Sequence, residues 1–410
     1  MAGALSTLAL TLVVSNLLVE EDAGRFFFYF SALQIGTPVA LLGLGAFVVR
    51  HIAAGSRGDD FAGVDAVKQR AVDATFLSSC VVGLGVAAVC ASMALEDRSA
   101  AEVVVALGSI FLAFVLFTRN QLNSFVLQGH SRVNAGIAVQ AGLYPAACSL
   151  LIALVALFAD LRPGASPTGV AAPVLAGAGV LAVGLSCAWR ENRTLPFGRG
   201  MTDLRMFSPE SRALWLLSIS IAFVNWSPQV VVGLLEGPEH VTAVTVAQRL
   251  AAASGILLMA ANAYLSPRIA ASFSTGDVAS LQALVRRTVW FVIPVSLVPV
   301  VGLWTWREEV LGLFGTSDLD RSAVLGIFMA GQLVNLATGP AAQLLMMTGH
   351  AELMLRISMG SLLVGVVIGS GLYAADIGYL AVPIAGAVAV GLQNLVAAVA
   401  SFKVLRVSVL

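Results

Sequence analysis

The chain has 410 residues, of which 58% are hydrophobic and 11% charged, and its 23 basic residues balance its 23 acidic residues. A soluble domain carries roughly 25% charged residues, so this composition excludes a water-soluble protein. Together with a mean hydropathy of +0.91 it indicates an integral membrane protein. Because a spanning helix takes about 20 apolar residues, about a dozen helices with short loops fill the chain and leave no room for a soluble catalytic domain.

Apolar runs bounded by charged residues, Pro or Gly predict twelve spanning helices. The fold class that we predict is therefore an all-α polytopic membrane protein with twelve transmembrane helices. In chain order, the predicted spans are 2–18, 26–48, 74–95, 103–127, 133–159, 168–189, 212–235, 241–264, 288–306, 324–347, 354–374 and 380–402.

The positions of Lys and Arg predict the orientation, because cytoplasmic loops retain basic residues. With the N-terminus inside, 16 of the 23 basic residues fall in inner segments and 5 in outer loops. The remaining two, Arg119 and Arg249, lie within predicted helices. We therefore expect a multi-pass protein of the plasma membrane with both termini in the cytoplasm.

The chain also contains an internal repeat. The segment RHIAAGSRGDDFAGVDAVKQRAVDATF, residues 50–76, aligns with RIAASFSTGDVASLQALVRRTVWF, residues 268–291, at an offset of 218. LQGHSR at 127–132 likewise aligns with MTGHAE at 347–352. Since six helices is an even number, the two halves enter the membrane in the same sense, an arrangement found in transporters. We predict six-helix lobes at 1–189 and 212–410, joined by a cytoplasmic linker at 190–211.

The first helices of the two halves carry polar side chains at equivalent positions. Thr7, Thr11 and Ser15 recur every four residues in the first half, and adding 218 to the first two gives Asn225 and Gln229. One interpretation is hydrogen bonding between helices, which is common among membrane helices. The other is a water-filled vestibule that both halves line.

Two arginines lie inside predicted spans, where an ionised side chain costs at least about 2.5 kcal/mol. Arg249 lies well inside the eighth span beside Gln248, and Arg119 lies closer to the inner end of the fourth. No Asp or Glu is expected at comparable depth in a span. The two arginines therefore indicate that the ligand is an anion. The alternatives are that Arg249 snorkels to the outer interface or bonds to backbone carbonyls, and that Arg119 lies close to the cytoplasm. The forked guanidinium donors suit two phosphate oxygens.

Several other patterns argue against enzymatic or metal chemistry. The chain has no phosphate-binding G-x-x-x-x-G-K-[ST] loop and no basic cluster typical of nucleic-acid binding, and its four Cys lie in apolar runs. Asp318 and Asp320 form a D-x-D pattern in a predicted outer loop, which we interpret as a solvated turn. His130 and His350 each follow a Gly at a helix end and are typical of caps. We expect no cofactor, no metal and no enzymatic activity.

Two long stretches carry a family resemblance. GPEHVTAVTVAQRLAAASGILLMAANAYLSPRIAASFSTGD at 237–277 and GPAAQLLMMTGH at 339–350 resemble the polysaccharide-type flippases of the multidrug/oligosaccharidyl-lipid/polysaccharide exporter superfamily, and so does the stretch at 20–45. This resemblance implies two six-helix lobes around a cationic cavity. It also implies export of a polyprenyl-pyrophosphate-linked oligosaccharide, and the family's eighth-helix arginine corresponds to Arg249.

We therefore predict a flippase for cell-surface polysaccharide biosynthesis that works by alternating access. Its expected partners are the lipid-linked oligosaccharide, the bilayer, and the glycan polymerase and glycosyltransferases of the same pathway, with no nucleic acid. The alternatives are a cation-coupled drug or metabolite antiporter and, further off, a membrane glycan polymerase or ligase. The predicted substrate-binding residues are Arg249, Gln248, Asn225, Gln229, Thr7, Thr11 and Arg119.

Overall fold

A computed structural model describes residues 2–57, 61–94, 99–160, 169–192, 209–274, 278–315 and 319–405. Within these ranges the regular secondary structure is entirely helical. A π-helical turn, Val139–Leu143, connects α6 and α7. The α-helices are α1 Ala2–Leu17, α2 Glu20–Ala40, α3 Leu44–Arg57, α4 Phe61–Ala94, α5 Ala100–Gly129, α6 Val133–Ala138, α7 Tyr144–Asp160, α8 Ala171–Cys187, α9 Pro209–Glu236, α10 Pro238–Ser254, α11 Ile256–Ser274, α12 Val278–Thr305, α13 Arg307–Leu313, α14 Leu319–Thr338, α15 Ala341–Met347, α16 Ala351–Ala374 and α17 Ala381–Leu405.

These helices form twelve spans. Within the described ranges, seven continuous stretches are long and apolar enough to cross a membrane, and two bent pairs, α10 with α11 and α14 with α15, pass the same test together. Two shorter apolar helices, α1 and α8, and the 21-residue α2 complete the set. The predicted all-α polytopic class with twelve spans is confirmed.

Three spans that the sequence predicts as continuous are broken, and for these the prediction is wrong. The span 26–48 breaks between α2 and α3, where Leu42 and Gly43 have φ of 50° and 69°. The span 241–264 bends by 53° between α10 and α11, and 324–347 bends by 54° between α14 and α15. Gly339 at the last break has φ of 57°, and the next residue is Pro340, which has no N–H to donate to a helix.

The internal repeat extends to the helices themselves. α2 begins at residue 20 and α10 at 238, while α6 begins at 133 and α16 at 351, so both pairs differ by the predicted 218. His130 directly follows α5 as its C-terminal cap residue, and His350 lies between α15 and α16 as the N-terminal cap residue of α16. Of the predicted linker, residues 193–208 lie outside the described ranges, as does Asp318 of the D-x-D pattern.

The chain divides into two compact units. The first contains residues 2–215 together with 233–242, and the second contains 216–232 together with 243–410. The turn between α9 and α10 thus belongs to the first unit, where it packs against α2. A Cβ atom on Gly24 would lie 1.9 Å from the carbonyl oxygen of Pro238, so only glycine allows this approach.

Each unit has its own core of buried apolar side chains, and that of the first includes an aliphatic cluster around Ile52 and Leu122 as well as aromatic rings. In the first unit, the rings of Phe117 and Tyr144 meet edge to face at 4.7 Å between centroids, and the Tyr144 hydroxyl donates to the Leu175 carbonyl at 2.7 Å. In the second unit, an aliphatic cluster includes Ile269 and Leu344. Apolar side chains on the outer surface, such as the 71% exposed Phe291, are expected to face lipid.

Candidate functional site

A cavity of about 260 Å³ lies inside the second unit, among α9, α10, α14 and α17. α9 and α10 contribute most of its polar side chains, and α14 and α17 contribute Gln332 together with small and apolar residues. The lining residues are Val224, Asn225, Trp226, Gln248, Arg249, Ala251, Ala252, Phe328, Gly331, Gln332, Gly386, Ala387 and Val390. No acidic residue is among them, so the cavity carries the positive charge of Arg249 without a compensating carboxylate.

Arg249 lies on α10 with its guanidinium carbon 3.9 Å from the centroid of the Trp226 ring on α9. Among the residues that the structure describes, it has no ion pair and no hydrogen bond. A cation over an indole face is stabilised by the ring quadrupole, by about 2 kcal/mol when desolvated. Because the guanidinium makes no hydrogen bond within the described residues, its N–H donors remain for a ligand.

Gln248 and Gln229 are joined by a side-chain hydrogen bond beside Arg249. The Gln229 side-chain nitrogen donates to Gln248 Oε1, and Gln248 Nε2 donates to the backbone carbonyl oxygen of Asn225 at 2.9 Å. The Asn225 side chain donates to the Ile221 backbone carbonyl oxygen. Gln229 is fully buried and does not line the cavity. The structure thus brings the predicted α9 and α10 residues together, but it uses the Gln248 amide to join the two helices.

Sequence reasoning did not identify Trp226, Gln332 and the small residues of α14 and α17. Trp226 follows directly on Asn225, and Gln332 is a polar residue in the middle of a predicted span. Both positions could therefore have been recognised from the sequence. A Cβ atom on Gly331 would lie 3.3 Å from the Ala387 Cα atom. The close approach of α14 and α17 therefore depends on small residues, and Phe328 and Gln332 are the larger α14 side chains that line the cavity.

Thr7 and Thr11 belong to the first unit and do not line this cavity. Their hydroxyls donate to carbonyl oxygens one turn back in α1, those of Gly3 and Thr7, both at 2.9 Å. A hydroxyl oxygen that donates in this way still has lone pairs to accept a hydrogen bond. Their contribution to a substrate path stays a prediction.

Arg119 lies in the first unit with protein partners close by. Its guanidinium hydrogen-bonds the Cys187 side chain and lies within electrostatic reach of the Asp73 carboxylate. The third predicted span starts at 74, but α4 begins at Phe61 and contains Asp73, so this acid lies inside a helix rather than in the predicted loop. Arg119 is therefore the weaker candidate for anion binding.

Comparison with known proteins identifies the fold. Residues 215–370 match the MatE family model, a range that contains Trp226, Arg249 and Gln332. A multidrug resistance MATE family transporter of the MOP superfamily, solved facing inward, superposes with a TM-score of 0.72 at 17% identity, covering 99% of this chain and 95% of that one. The chain has the MATE fold.

Two further MATE structures are similar. A MATE in complex with MaL6 has a TM-score of 0.62 at 16% identity, covering 99% of this chain and 94% of that one. An outward-facing multidrug resistance MATE transporter has a TM-score of 0.60 at 17% identity, with 99% and 93% covered. No curated protein matches the chain. The MATE fold consists of twelve transmembrane helices in two lobes, in agreement with the spans described above.

Proposed function

We propose that the chain is a membrane transporter that moves a polyprenyl-pyrophosphate-linked oligosaccharide from the cytoplasmic to the outer leaflet of the plasma membrane. Solved proteins of the MATE fold include inward-facing and outward-facing forms, which supports alternating access as the mechanism. In this proposal the lipid tail stays in the bilayer while the headgroup crosses through the protein.

The observation that carries this proposal is the state of Arg249. Arg249 is a half-buried cation whose N–H donors make no hydrogen bond within the described residues. The cavity that it faces is lined, among those residues, without any carboxylate. A cationic substrate would be repelled there. A pyrophosphate supplies the negative charge and the oxygen acceptors that the guanidinium lacks, and binding it offsets the cost of holding an ionised side chain inside the membrane.

The remaining predicted residues have supporting roles in this proposal. Asn225 lines the cavity and is proposed to contact sugar, with Gln229 acting through Gln248. Thr7 and Thr11 are proposed to line the sugar path in the first unit, and Arg119 to assist at the predicted inner side. A glycan polymerase and glycosyltransferases are the proposed partners for polysaccharide biosynthesis.

The second candidate is a cation-coupled drug or metabolite antiporter. Two observations favour it: the similar solved structures are named as multidrug transporters, and Asp73 gives the first unit an acid inside a span. The two candidates differ in the sign of the charge that the second unit attracts. The charge of Arg249, in a cavity whose described lining has no carboxylate, favours an anionic substrate over a cationic one.

The test is transport by the purified protein in proteoliposomes, with a fluorescent polyprenyl-pyrophosphate-linked sugar as substrate. Arg249→Ala is expected to slow flipping by roughly 10- to 100-fold, since a hydrogen bond to a charged group contributes about 1.5–3 kcal/mol. Arg268→Ala is the matched control, because Arg268 also stacks on a ring, that of Tyr264, at 3.9 Å, but is exposed.

The outcomes separate the candidates. Normal flipping by the Arg249→Ala variant excludes this residue as the pyrophosphate site. Wild-type protein that exports a cationic dye against an imposed ion gradient, and flips no lipid-linked sugar, supports the antiporter instead.

A further inference from the structure

Gln332 and Asn335 lie one turn apart on α14, and their side chains are joined. Asn335 Nδ2 donates to Gln332 Oε1 at 3.1 Å. The same oxygen lies 3.4 Å from the position that a Cβ atom on Gly255 would take. Gly255 is the residue at the break between α10 and α11, so the acceptor end of the Gln332 amide faces Asn335 and this break.

The other end of the Gln332 amide has no such partner. Its Nε2 group makes no hydrogen bond within the described part of the chain, and Gln332 lines the same cavity as Arg249. Gln248 differs, because both ends of its amide are engaged, with Gln229 and with the Asn225 carbonyl. Of the two cavity glutamines, Gln332 is thus the one whose NH₂ group has no partner among the described residues, whereas Gln248 Nε2 already uses one of its two N–H donors.

We propose that Gln332 is a second hydrogen-bond donor to the anionic headgroup and that Asn335 is its positioning residue. A glutamine amide fits almost equally well in two orientations related by a half-turn. The Asn335 donor selects the orientation that keeps Oε1 on the α14 side and presents the NH₂ group to the cavity. With Arg249 on α10 and Gln332 on α14, a diphosphate meets donors from two helices.

This inference rests on the proposed anion site and explains why that site would prefer a hydrogen-bond acceptor such as a phosphate. In the opposite orientation, Gln332 would present a carbonyl oxygen to the anion and repel it. Asn335→Asp should produce that state, because a carboxylate accepts and cannot donate, so it holds Gln332 by its NH₂ group. Gln332→Met removes the donor with little change in volume and serves as the reference variant.

The experiment measures binding of inorganic pyrophosphate to the detergent-solubilised full chain by calorimetry. Gln332→Met is expected to weaken binding about 5-fold, in line with one hydrogen bond, and Asn335→Asp about 10-fold or more. In the Gln332→Met background, Asn335→Asp is expected to weaken binding by less than about 2-fold, because its effect passes through the Gln332 amide. Asn335→Leu, which frees the amide to rotate, is expected to fall between wild type and Gln332→Met. It also replaces Asn335→Asp if that variant does not fold.

Each contrary result is distinct. If Asn335→Asp weakens binding equally in both backgrounds, the added charge acts through space and the positioning role is wrong. If Gln332→Met binds as wild type does, Gln332 is not a donor. If Arg249→Ala keeps full pyrophosphate affinity, the proposed anion site is wrong. If Arg249→Ala lowers the affinity while the Gln332 and Asn335 variants bind as wild type does, only the inference about α14 is wrong.

Discussion

The stacking of Arg249 on Trp226 explains how a cation is held in the second unit without an acid. An aspartate in place of Trp226 would bind the guanidinium more tightly, but it would occupy the same donors that a phosphate needs. The indole face stabilises the charge and leaves the edge of the guanidinium free. At the scale of single residues, the site therefore depends on an aromatic ring as much as on the arginine.

Trp226→Leu tests this role. We expect pyrophosphate affinity to fall by roughly 3- to 30-fold, corresponding to loss of about 0.5–2 kcal/mol of cation–π stabilisation, while Trp226→Phe keeps most of it. Calorimetric titration of both variants measures the effect. Tyr264→Leu removes the exposed pair with Arg268 and should leave the affinity unchanged; an equal loss there would mean that the effect is not specific to the cavity.

At the scale of the helices, an ion pair connects the segments that follow α5 and α8 at their predicted inner ends. Arg132 Nε lies 2.8 Å from Glu191 Oε1, and the Arg132 guanidinium also lies over the Trp189 ring. Burial raises the pKa of Glu191, but a hydrogen bond from its own backbone N–H and the charge of Arg132 outweigh this and hold the pKa below its usual value. The ionised form therefore stabilises the fold.

Glu191→Gln is expected to lower the melting temperature in detergent near pH 7, by an amount equivalent to at most about 1 kcal/mol. The folded-state pKa is depressed, so the stabilisation is present above the unfolded-state pKa of about 4.3 and is lost as pH falls through the folded-state value. The wild type and the variant should thus converge in acid. Glu308→Gln is the control, because Glu308 pairs with Arg307 in an exposed position and its loss should change little. A gap between wild type and Glu191→Gln that persists unchanged in acid contradicts this account.

At the scale of the whole molecule, two halves of one repeat carry different chemistry. Subtracting 218 from Arg249 and Gln248 gives Ser31 and Phe30, both buried in the aromatic core of the first unit. The repeated helices are alike, but the second half replaces ring packing with a polar cavity. The two halves therefore share the order of their helices but not the polarity of these equivalent positions.

The even number of spans predicts that both termini lie on one side, and the distribution of basic residues predicts the cytoplasmic side. A green fluorescent protein fused after residue 410 should fluoresce, and alkaline phosphatase at the same position should be inactive. Alkaline phosphatase inserted after Gly237, in the turn between α9 and α10, should be active. The opposite pattern at either position would overturn the orientation.

The sequence by itself determined the membrane class, the twelve spans, the 218-residue repeat and the position of Arg249 inside an apolar helix. These follow from composition, from hydrophobic run length and from the cost of a charge in lipid, all of which are local properties. It identified Asn225 and Gln229 through the repeat and Gln248 as the neighbour of Arg249, without showing that the Gln248 amide is already engaged.

Only the tertiary structure decided the partners of each polar group. It placed Trp226 under Arg249, brought Gln332 from α14 into the same cavity, and set Asp73 and Cys187 beside Arg119. It also showed that three of the spans that the sequence predicts as continuous are interrupted. These outcomes depend on side chains far apart in the chain meeting across helices, and on backbone angles at single residues such as Leu42 and Gly339. Hydrophobic periodicity carries no information on either.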